Sequence, residues 1–424
     1  MNSEQSEAAI RLRRNRLRAG LQELTMTLDR RPKTLSTSEV RTSSMERLVL
    51  VHGKFQRMGT GKLIVAILAA SALGSASVLA ADAGSPAADF AAAKAAYQQR
   101  DYVQAFVLLE KLARAGNADA ESALGTMYYN GQGVQRDFAK SLEWLRKAAE
   151  QGQVTAEANV GLMYDNGQGV RPDPIEAIRW YRKAAEQGEP GAQNNLGLHY
   201  KDGLGVPQDV AQALQWFRKS AEQGNPWAQN NVGAAYQHGV GTAQDFAQAA
   251  GWYRKAAELG NPVAQDNLGA LYERGQGVTQ DAAEAARWYR KAAEQGDSSA
   301  QVDLGVLYEN GIGVPRDYAQ AALWYRKAAE QGNPAGLADL ALMYQSGHGA
   351  PRSREVAYAL YYLADRPGGQ IGAQAASKLD ALAKTLTAKQ LGDARALAGS
   401  ISTDPTRFAA AIDAFLARTP KVRP

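Results

Sequence analysis

The chain has 424 residues, no cysteine, and 48 Lys and Arg against 43 Asp and Glu, a formal charge of +5. The absence of cysteine excludes disulfides, thiol catalysis and cysteine metal sites, so stability must come from packing alone. Residues 1–62 hold 13 basic against 6 acidic side chains, 63–81 hold no charge, and the remainder holds 35 against 37, so a nucleic-acid reading drawn from the overall basic balance is excluded.

Residues 1–61 are a basic amino-terminal extension, read either as disordered or as sequence ahead of the true start of translation. Lys62 opens the next segment, 62–81, whose run Leu63 to Ala81 is apolar at first and then rich in small residues. Such a run with a basic flank has the anatomy of a secretory signal peptide, with cleavage after Ala80 and Val78 at the other small-residue position. A start at Met58 or Met45 would give that signal peptide an ordinary length. The competing reading keeps 1–61 as a cytoplasmic tail and makes 63–81 an uncleaved anchor. Either way the basic flank places the chain beyond residue 81 outside the cytoplasm, periplasmic or secreted, or anchored to the inner membrane with its bulk in the periplasm.

Residues 82–115 carry a shortened helix pair, Phe90 to Gln99 and Tyr102 to Ala113, that caps the amino end of a repeat array. From 116 to 366 one pattern recurs with a pitch of 36 residues. Its paired glycines are Gly131/Gly133, Gly167/Gly169, Gly203/Gly205, Gly239/Gly241, Gly275/Gly277, Gly311/Gly313 and Gly347/Gly349. Trp144, Trp180, Trp216, Trp252, Trp288 and Trp324 keep the same register. A fixed period of this length means small units that bury their apolar faces only by stacking. Each unit predicts two helices. In the third, Ala192, Leu196 and Tyr200 share one stripe, and the helix ends at Gly203 in a left-handed cap. Gly205 lets the chain turn again, and Asp209 caps a second helix that sends Ala213, Trp216 and Phe217 inward. Asp137, Asp173, Asp245, Asp281 and Asp317 repeat that cap, while Asn225, Asn261 and Asn333, each followed by Pro, start first helices. Beyond the repeats, 367–424 predicts capping helices at Ala373 to Lys384 and Thr387 to Gly399, a last amphipathic stretch at Phe408 to Leu416, and a polar tail.

Leu-Gly-x-x-Tyr, Gly-x-Gly-Val, Asp, then Ala-x-x-Trp-Tyr-Arg-Lys-Ala-Ala-Glu-Gln-Gly is nearly complete at Leu268 to Gly296 and at Leu304 to Gly332. This pattern resembles the Sel1-like repeat family, itself similar to tetratricopeptide repeats with a longer turn. The resemblance covers roughly Gly116 to Asp365 and implies an all-α, α/α superhelical solenoid of about seven helix pairs with capping helices at both ends. Departures sit at the ends: Leu145 in the first unit, and Ala341, Ala350 and Leu360 in the last. Some members of the family brace each pair with a disulfide, which this chain cannot do.

The same resemblance implies that first helices line a concave groove whose variable positions meet a protein or peptide partner. Carried over unit by unit, that wall holds Asn194, Lys201 and Asp202, then Trp227, Asn230, Ala234, Gln237 and His238, then Asp266, Glu273 and Arg274. Trp227 is the tryptophan outside the repeat register, where other units have Asp119, Thr155, Gly191, Val263, Ser299 and Ala335. It is either an aromatic anchor for a partner or a side chain packed on a turn. The register tryptophans are read as core, so Trp252→Ala should cost about 3–5 kcal/mol.

Catalytic groupings do not emerge. His52, His199, His238 and His348 occupy different registers without metal-ligand spacing. Gly-x-Gly recurs as a turn device ahead of an Asp-capped helix, and Ser-x-x-Lys does not occur. The reading is therefore a non-catalytic scaffold or adaptor for protein or peptide partners, with no cofactor, no metal and no nucleic acid. One rival is a periplasmic regulator that restrains a membrane sensor or exopolysaccharide assembly. Another, of a different class, is a cell-wall or penicillin-binding enzyme.

Overall fold

The computed structural model describes residues 85–365 and 370–418. The extension 1–61, the apolar segment 62–81 and the alternative starts lie outside the described residues. Among the described residues there are nineteen α-helices and no strand. They fall into two compact units, one ending at Leu259 and the other beginning at Gly260.

The first unit contains α1 (Pro86–Gln98), α2 (Tyr102–Arg114), α3 (Ala118–Asn130), α4 (Phe138–Glu150), α5 (Val154–Asn166), α6 (Pro174–Glu186), α7 (Pro190–Asp202), α8 (Val210–Glu222), α9 (Pro226–His238) and α10 (Phe246–Glu258). The second contains α11 (Pro262–Arg274), α12 (Ala282–Glu294), α13 (Ser298–Asn310), α14 (Tyr318–Glu330), α15 (Pro334–Ser346), α16 (Arg354–Ala364), α17 (Gln370–Ala383), α18 (Ala388–Thr403) and α19 (Phe408–Arg418). Within each unit a helix packs chiefly on the one before it and the one after it, except that α18 passes over α17 and packs on α16. Each unit is thus an all-α stack of helix hairpins, the solenoid architecture that the 36-residue period requires.

Helix ends are set locally. Asp137, Asp173, Asp209, Asp245, Asp281 and Asp317 cap the second helix of their pairs, each accepting from backbone N–H groups of the first turn at 2.9–3.1 Å. Gly131, Gly167, Gly203, Gly239, Gly275, Gly311 and Gly347 close the first helices in the left-handed conformation. First helices are capped by Asn117, Gln153, Glu189, Asn225, Asn261, Asp297 and Asn333. Gln153 and Glu189 extend the expected asparagine pattern with longer side chains. Helix α1 starts at Pro86, ahead of the expected Phe90, because Ser85 caps it. Thr387 caps α18 in a reciprocal box with Gln390.

The second glycine of each loop does more than turn the chain. A Cβ on Gly133 would lie 2.1 Å from Tyr102 O, on Gly313 2.1 Å from Ala282 O, and on Gly349 1.9 Å from Tyr318 O. Each of these loops therefore rests on the first turn of the preceding second helix, and this approach fixes the spacing between those repeats. In α5, α7, α9, α11 and α13 the glycine inside the first helix makes room for a ring. A Cβ on Gly161, Gly233 or Gly305 would sit 2.6–2.7 Å from Tyr181, Tyr253 or Tyr325.

The expectation that the register tryptophans are core holds for Trp180, Trp288 and Trp324, while Trp144, Trp216 and Trp252 are half-buried, and the tyrosines beside them are more fully enclosed. Tyr181, Tyr253, Tyr289 and Tyr325 are completely buried, whereas the adjoining register tryptophans are only partly buried or retain 7–8% exposure. Several of the tryptophans also join neighbouring repeats. Trp180 packs with Leu145 and Leu142 of the preceding pair, Trp216 with Ala177 and Tyr181, and Trp324 with Ala285 and Tyr289. The other face of each register tryptophan carries the lysine one turn on, with Nζ 4.0–4.2 Å from the ring centroid. Such pairs stabilise by about 0.5–1 kcal/mol each where exposed.

Two polar columns complete the stack. In the first, the glutamine ending a second helix donates to the first helix of its own pair: Gln151 to Glu121, Gln187 to Glu157, Gln223 to Gln193, Gln295 to Gln265 and Gln331 to Gln301, at 2.6–2.8 Å. In the second, the buried tyrosine hydroxyl donates to a side chain sixteen residues earlier: Tyr253 to Gln237 (2.6 Å), Tyr289 to Glu273 (2.7 Å) and Tyr325 to Glu309 (2.8 Å).

Candidate protein-interaction surface

The first helices are where a partner-facing wall was expected, and their residues fall into two groups. In the first unit, Lys201 and Asp202 end α7 and pair with each other, their side chains 10% and 14% exposed. Asn194 is fully buried and accepts from Asn231 Nδ2 across to α9 at 2.9 Å, so it ties neighbouring first helices together. Asn230 is likewise fully buried, and Gln237 is almost so, receiving the Tyr253 hydroxyl. Ala234 is buried as well. His238 is exposed at the end of α9 and Trp227 is half-buried near its start, its backbone N–H capped by Asn225 at 3.0 Å. Of the expected set in this unit, His238, Trp227 and Asp202 are therefore the side chains with surface to offer.

In the second unit Asp266, Glu273 and Arg274 are half-buried on α11, with Glu273 holding the Tyr289 hydroxyl. Further carboxylates stand on the first helices of this unit: Glu309 in the register of Glu273, and Asp303 and Asp339 in that of Asn267. Asp303 and Glu309 on α13 and Asp339 on α15 all act on Tyr325. Burial, then the charges of Asp339, Glu309 and Asp303, hold its hydroxyl well above the ordinary tyrosine range. Burial and then Asp339 push Tyr361 up to about 12. The first-helix positions of this unit are thus acidic, a property legible once Glu273 and Glu309 are aligned at the 36-residue pitch.

His199 shows how a single departure is absorbed. It occupies a register held elsewhere by Met127, Met163, Ala235, Leu271, Leu307 and Met343, and its ring is fully buried. Its Nδ1 lies 2.8 Å from Leu204 O in the loop. Its Nε2 lies 3.2 Å from Asp165 Oδ1 on α5, ion-pair distance without the alignment of a hydrogen bond. The histidine thus ties two first helices and a loop and adds nothing to the surface. Among the described residues no group of three or more His, Asp and Glu could hold a metal, and no helix is long and apolar enough to cross a membrane.

With this geometry in place, comparison with known proteins gives a consistent result. The family model described as Sel1 repeat matches residues 94–117, 118–153, 154–189, 190–225, 228–261, 262–297, 298–333 and 334–364. The first match falls in the α1–α2 pair, which the sequence presents as a cap. The crystal structure of a Sel1 repeat protein from Oxalobacter formigenes is 32% identical, covers 59% of this chain and 98% of its own, and has a TM-score of 0.54. A protective antigen present in uropathogenic Escherichia coli strains, displaying an SLR fold, is 30% identical over 80% of this chain and 88% of its own, with a TM-score of 0.39. No curated protein matches.

Proposed function

This chain belongs to the Sel1 repeat family, and we propose that it is an exported, non-catalytic scaffold that holds a protein or peptide partner against its first helices. Sel1 repeat proteins are generally interaction scaffolds, which supports the coarse reading. The observation that carries the finer one is a division of labour within the period. Caps, loop glycines, buried tyrosines and the tryptophan–lysine pairs recur from unit to unit. By contrast the second position of the first helix runs Asp119, Thr155, Gly191, Trp227, Val263, Ser299 and Ala335, different every time. Cohesion needs sameness, and selective recognition needs difference.

Export rests on the uncharged run at 63–81 behind a basic flank, and sequencing the mature amino terminus tests it: an end near Ala81 supports export with cleavage. The binding role is tested by capture from periplasmic extract with the full chain and with Trp227→Ala, melting both variants in parallel. Loss of the captured protein at unchanged melting temperature supports the reading. Equal capture by both overturns the assignment of Trp227. Covalent labelling of the chain by a fluorescent penicillin would replace the scaffold with a cell-wall enzyme.

A further inference from the structure

The second unit contains a cleft of about 420 Å³ between α15, the start of α16 and the end of α17, a volume within the range of small binding sites. Two arginines line it. Arg352 precedes the capping Ser353, and Arg354 is the first residue of α16; both are exposed. Neither makes an ion pair or hydrogen bond with another described residue, although most cations of the array have a partner. Comparison along the repeat shows what is missing. Arg136 and Arg316 occupy the register of Arg352, and their guanidiniums lie 5.3 and 5.6 Å from the rings of Phe138 and Tyr318, two residues on. In the last pair that aromatic position is Arg354. A second cation stands where the repeat supplies a ring for the first.

Glu355, next to Arg354 in the chain, is already engaged. It accepts from Gln390 Nε2 at 2.6 Å and from the Ser353 hydroxyl at 3.2 Å. The start of α16 adds the positive end of a helix dipole. Leucines share the lining with Gln345, Ser346 and Thr385: Leu382 is buried, and Leu342 is a large hydrophobic left 40% exposed. Two guanidiniums whose forked geometry suits carboxylates thus line one cleft with two leucines, and it is large enough for two or three residues. The chain's own tail does not fit, since 419–424 brings Lys421 and Arg423, charges of the wrong sign.

We propose that this cleft docks an acidic peptide segment in which a carboxylate side chain stands next to an aliphatic one, the carboxylate on Arg352 and Arg354 and the aliphatic group on Leu342 and Leu382. Leu342, Gln345 and Ser346 of α15 hold the registers of Ala234, Gln237 and His238, so the site is the last stretch of the first-helix wall, at the place where the regular repeat gives way to α17.

The test uses the full chain and a fluorescein-labelled Gly-Leu-Glu-Leu-Gly peptide followed by polarisation. Saturable binding is expected, weakened at least tenfold by changing the peptide Glu to Gln and by Arg352→Gln with Arg354→Gln. That double variant should melt no earlier than wild type, because it removes two neighbouring like charges. Leu342→Ser, at a position already exposed, should weaken the Leu-containing peptide but not a Gly-Glu-Gly control. Equal binding of the Glu and Gln peptides, or full binding by the arginine double variant, overturns the proposal. Inorganic phosphate competing as well as the peptide would reduce the cleft to a simple anion site and overturn it too. Loss of binding in Trp227→Ala would assign the peptide to the stretch of the wall around Trp227 instead and overturn the proposal.

Discussion

Leu259 breaks an otherwise regular column, and restoring it makes a quantitative test of how the stack is held. Five second helices end in a glutamine whose amide donates to a side chain thirty residues earlier at 2.6–2.8 Å. In the fourth unit the donor is replaced by Leu259, which is 59% exposed. Its vacant partner is Gln229, only 6% exposed. Gln229 Nε2 donates to Ala221 O at 3.2 Å, as Gln193 and Gln301 donate to Ala185 O and Ala293 O at 3.1 Å. That bond fixes the amide orientation and leaves Gln229 Oε1 buried without a hydrogen-bond partner. Leu259→Gln should therefore add one hydrogen bond, worth about 0.5–1.5 kcal/mol net, and relieve a buried acceptor. Little apolar burial is lost, and leucine and glutamine have similar helix propensities. The expected gain is about 1 kcal/mol, a rise of roughly 2–4 °C in melting temperature for a cooperative block of 150–250 residues. Thermal and urea unfolding should be followed by circular dichroism and tryptophan fluorescence together, because a repeat array need not unfold all at once. The decisive control is the same substitution in a Gln229→Leu background, where no acceptor remains and the gain should vanish. A gain of equal size there, or no gain in the wild-type background, refutes the hydrogen-bond account.

Other substitutions probe the remaining contacts. Gly313→Ala and Gly296→Ala both force a side chain into positive φ, +67° and +93°, but only the first would place a Cβ against a backbone oxygen, at 2.1 Å. Gly296→Ala should cost about 1–2 kcal/mol, and Gly313→Ala clearly more, with the difference read from urea midpoints. Glu189, half-buried as the N-cap of α7, has its carboxyl held above the ordinary glutamate range by desolvation, against the lowering effect of bonds from Ala192 and Gly191. A raised folded value means that its contribution is fully present below the unfolded value and lost as pH rises through the folded one. Glu189→Asn, the residue in this register at Asn225 and Asn261, should stabilise at neutral pH. That advantage should disappear below the ordinary glutamate range in a series of melts across pH. Lys201→Gln with Phe217→Tyr recreates the hydroxyl–amide pair of Gln237 and Tyr253. The two changes should be non-additive by at least about 0.5 kcal/mol in a double-mutant cycle.

The hairpin boundaries were legible because each depends on chemistry within a few residues. An aspartate before a helix and a glycine after one act through the local backbone, so Asp209 and Gly203 announce themselves. Side chains that meet across thirty or more residues were harder to read. Gly205 looks like a turn residue until its neighbour Pro174 O is seen 2.7 Å from where a Cβ would stand. The tryptophans look like the core because they are large and periodic, yet the adjacent tyrosines are the fully enclosed rings, since the helix glycine faces them. On the surface, helical periodicity placed Asn194 and Asn230 correctly on a first helix but gave no information on burial. Asn194 faces Asn231 on the next helix, a contact set by how closely the units stack and not by the spacing within either one.

The register also separates two kinds of departure, and the separation bears on where partners meet the chain. Some changes are matched elsewhere. Lys201 replaces a hydrogen-bond acceptor in the unit where Phe217 lacks the hydroxyl that would need it, and His199 enters the core opposite Asp165. These are alternative solutions to the same packing problem, and the stack is indifferent to them. Other changes have no match. Leu259 leaves Gln229 Oε1 without a donor, Arg354 removes the ring that an arginine in this register covers, and Trp227 adds an aromatic where no other unit has one. An uncompensated change gives the fold nothing, and like charges or a buried orphan acceptor work against it. Cohesion therefore does not account for Leu259, Arg354 and Trp227, and each of these side chains retains exposed surface. Under the scaffold reading proposed above, contact with something outside the stack would account for them, which is why binding experiments on this chain belong at those positions before the repeated ones.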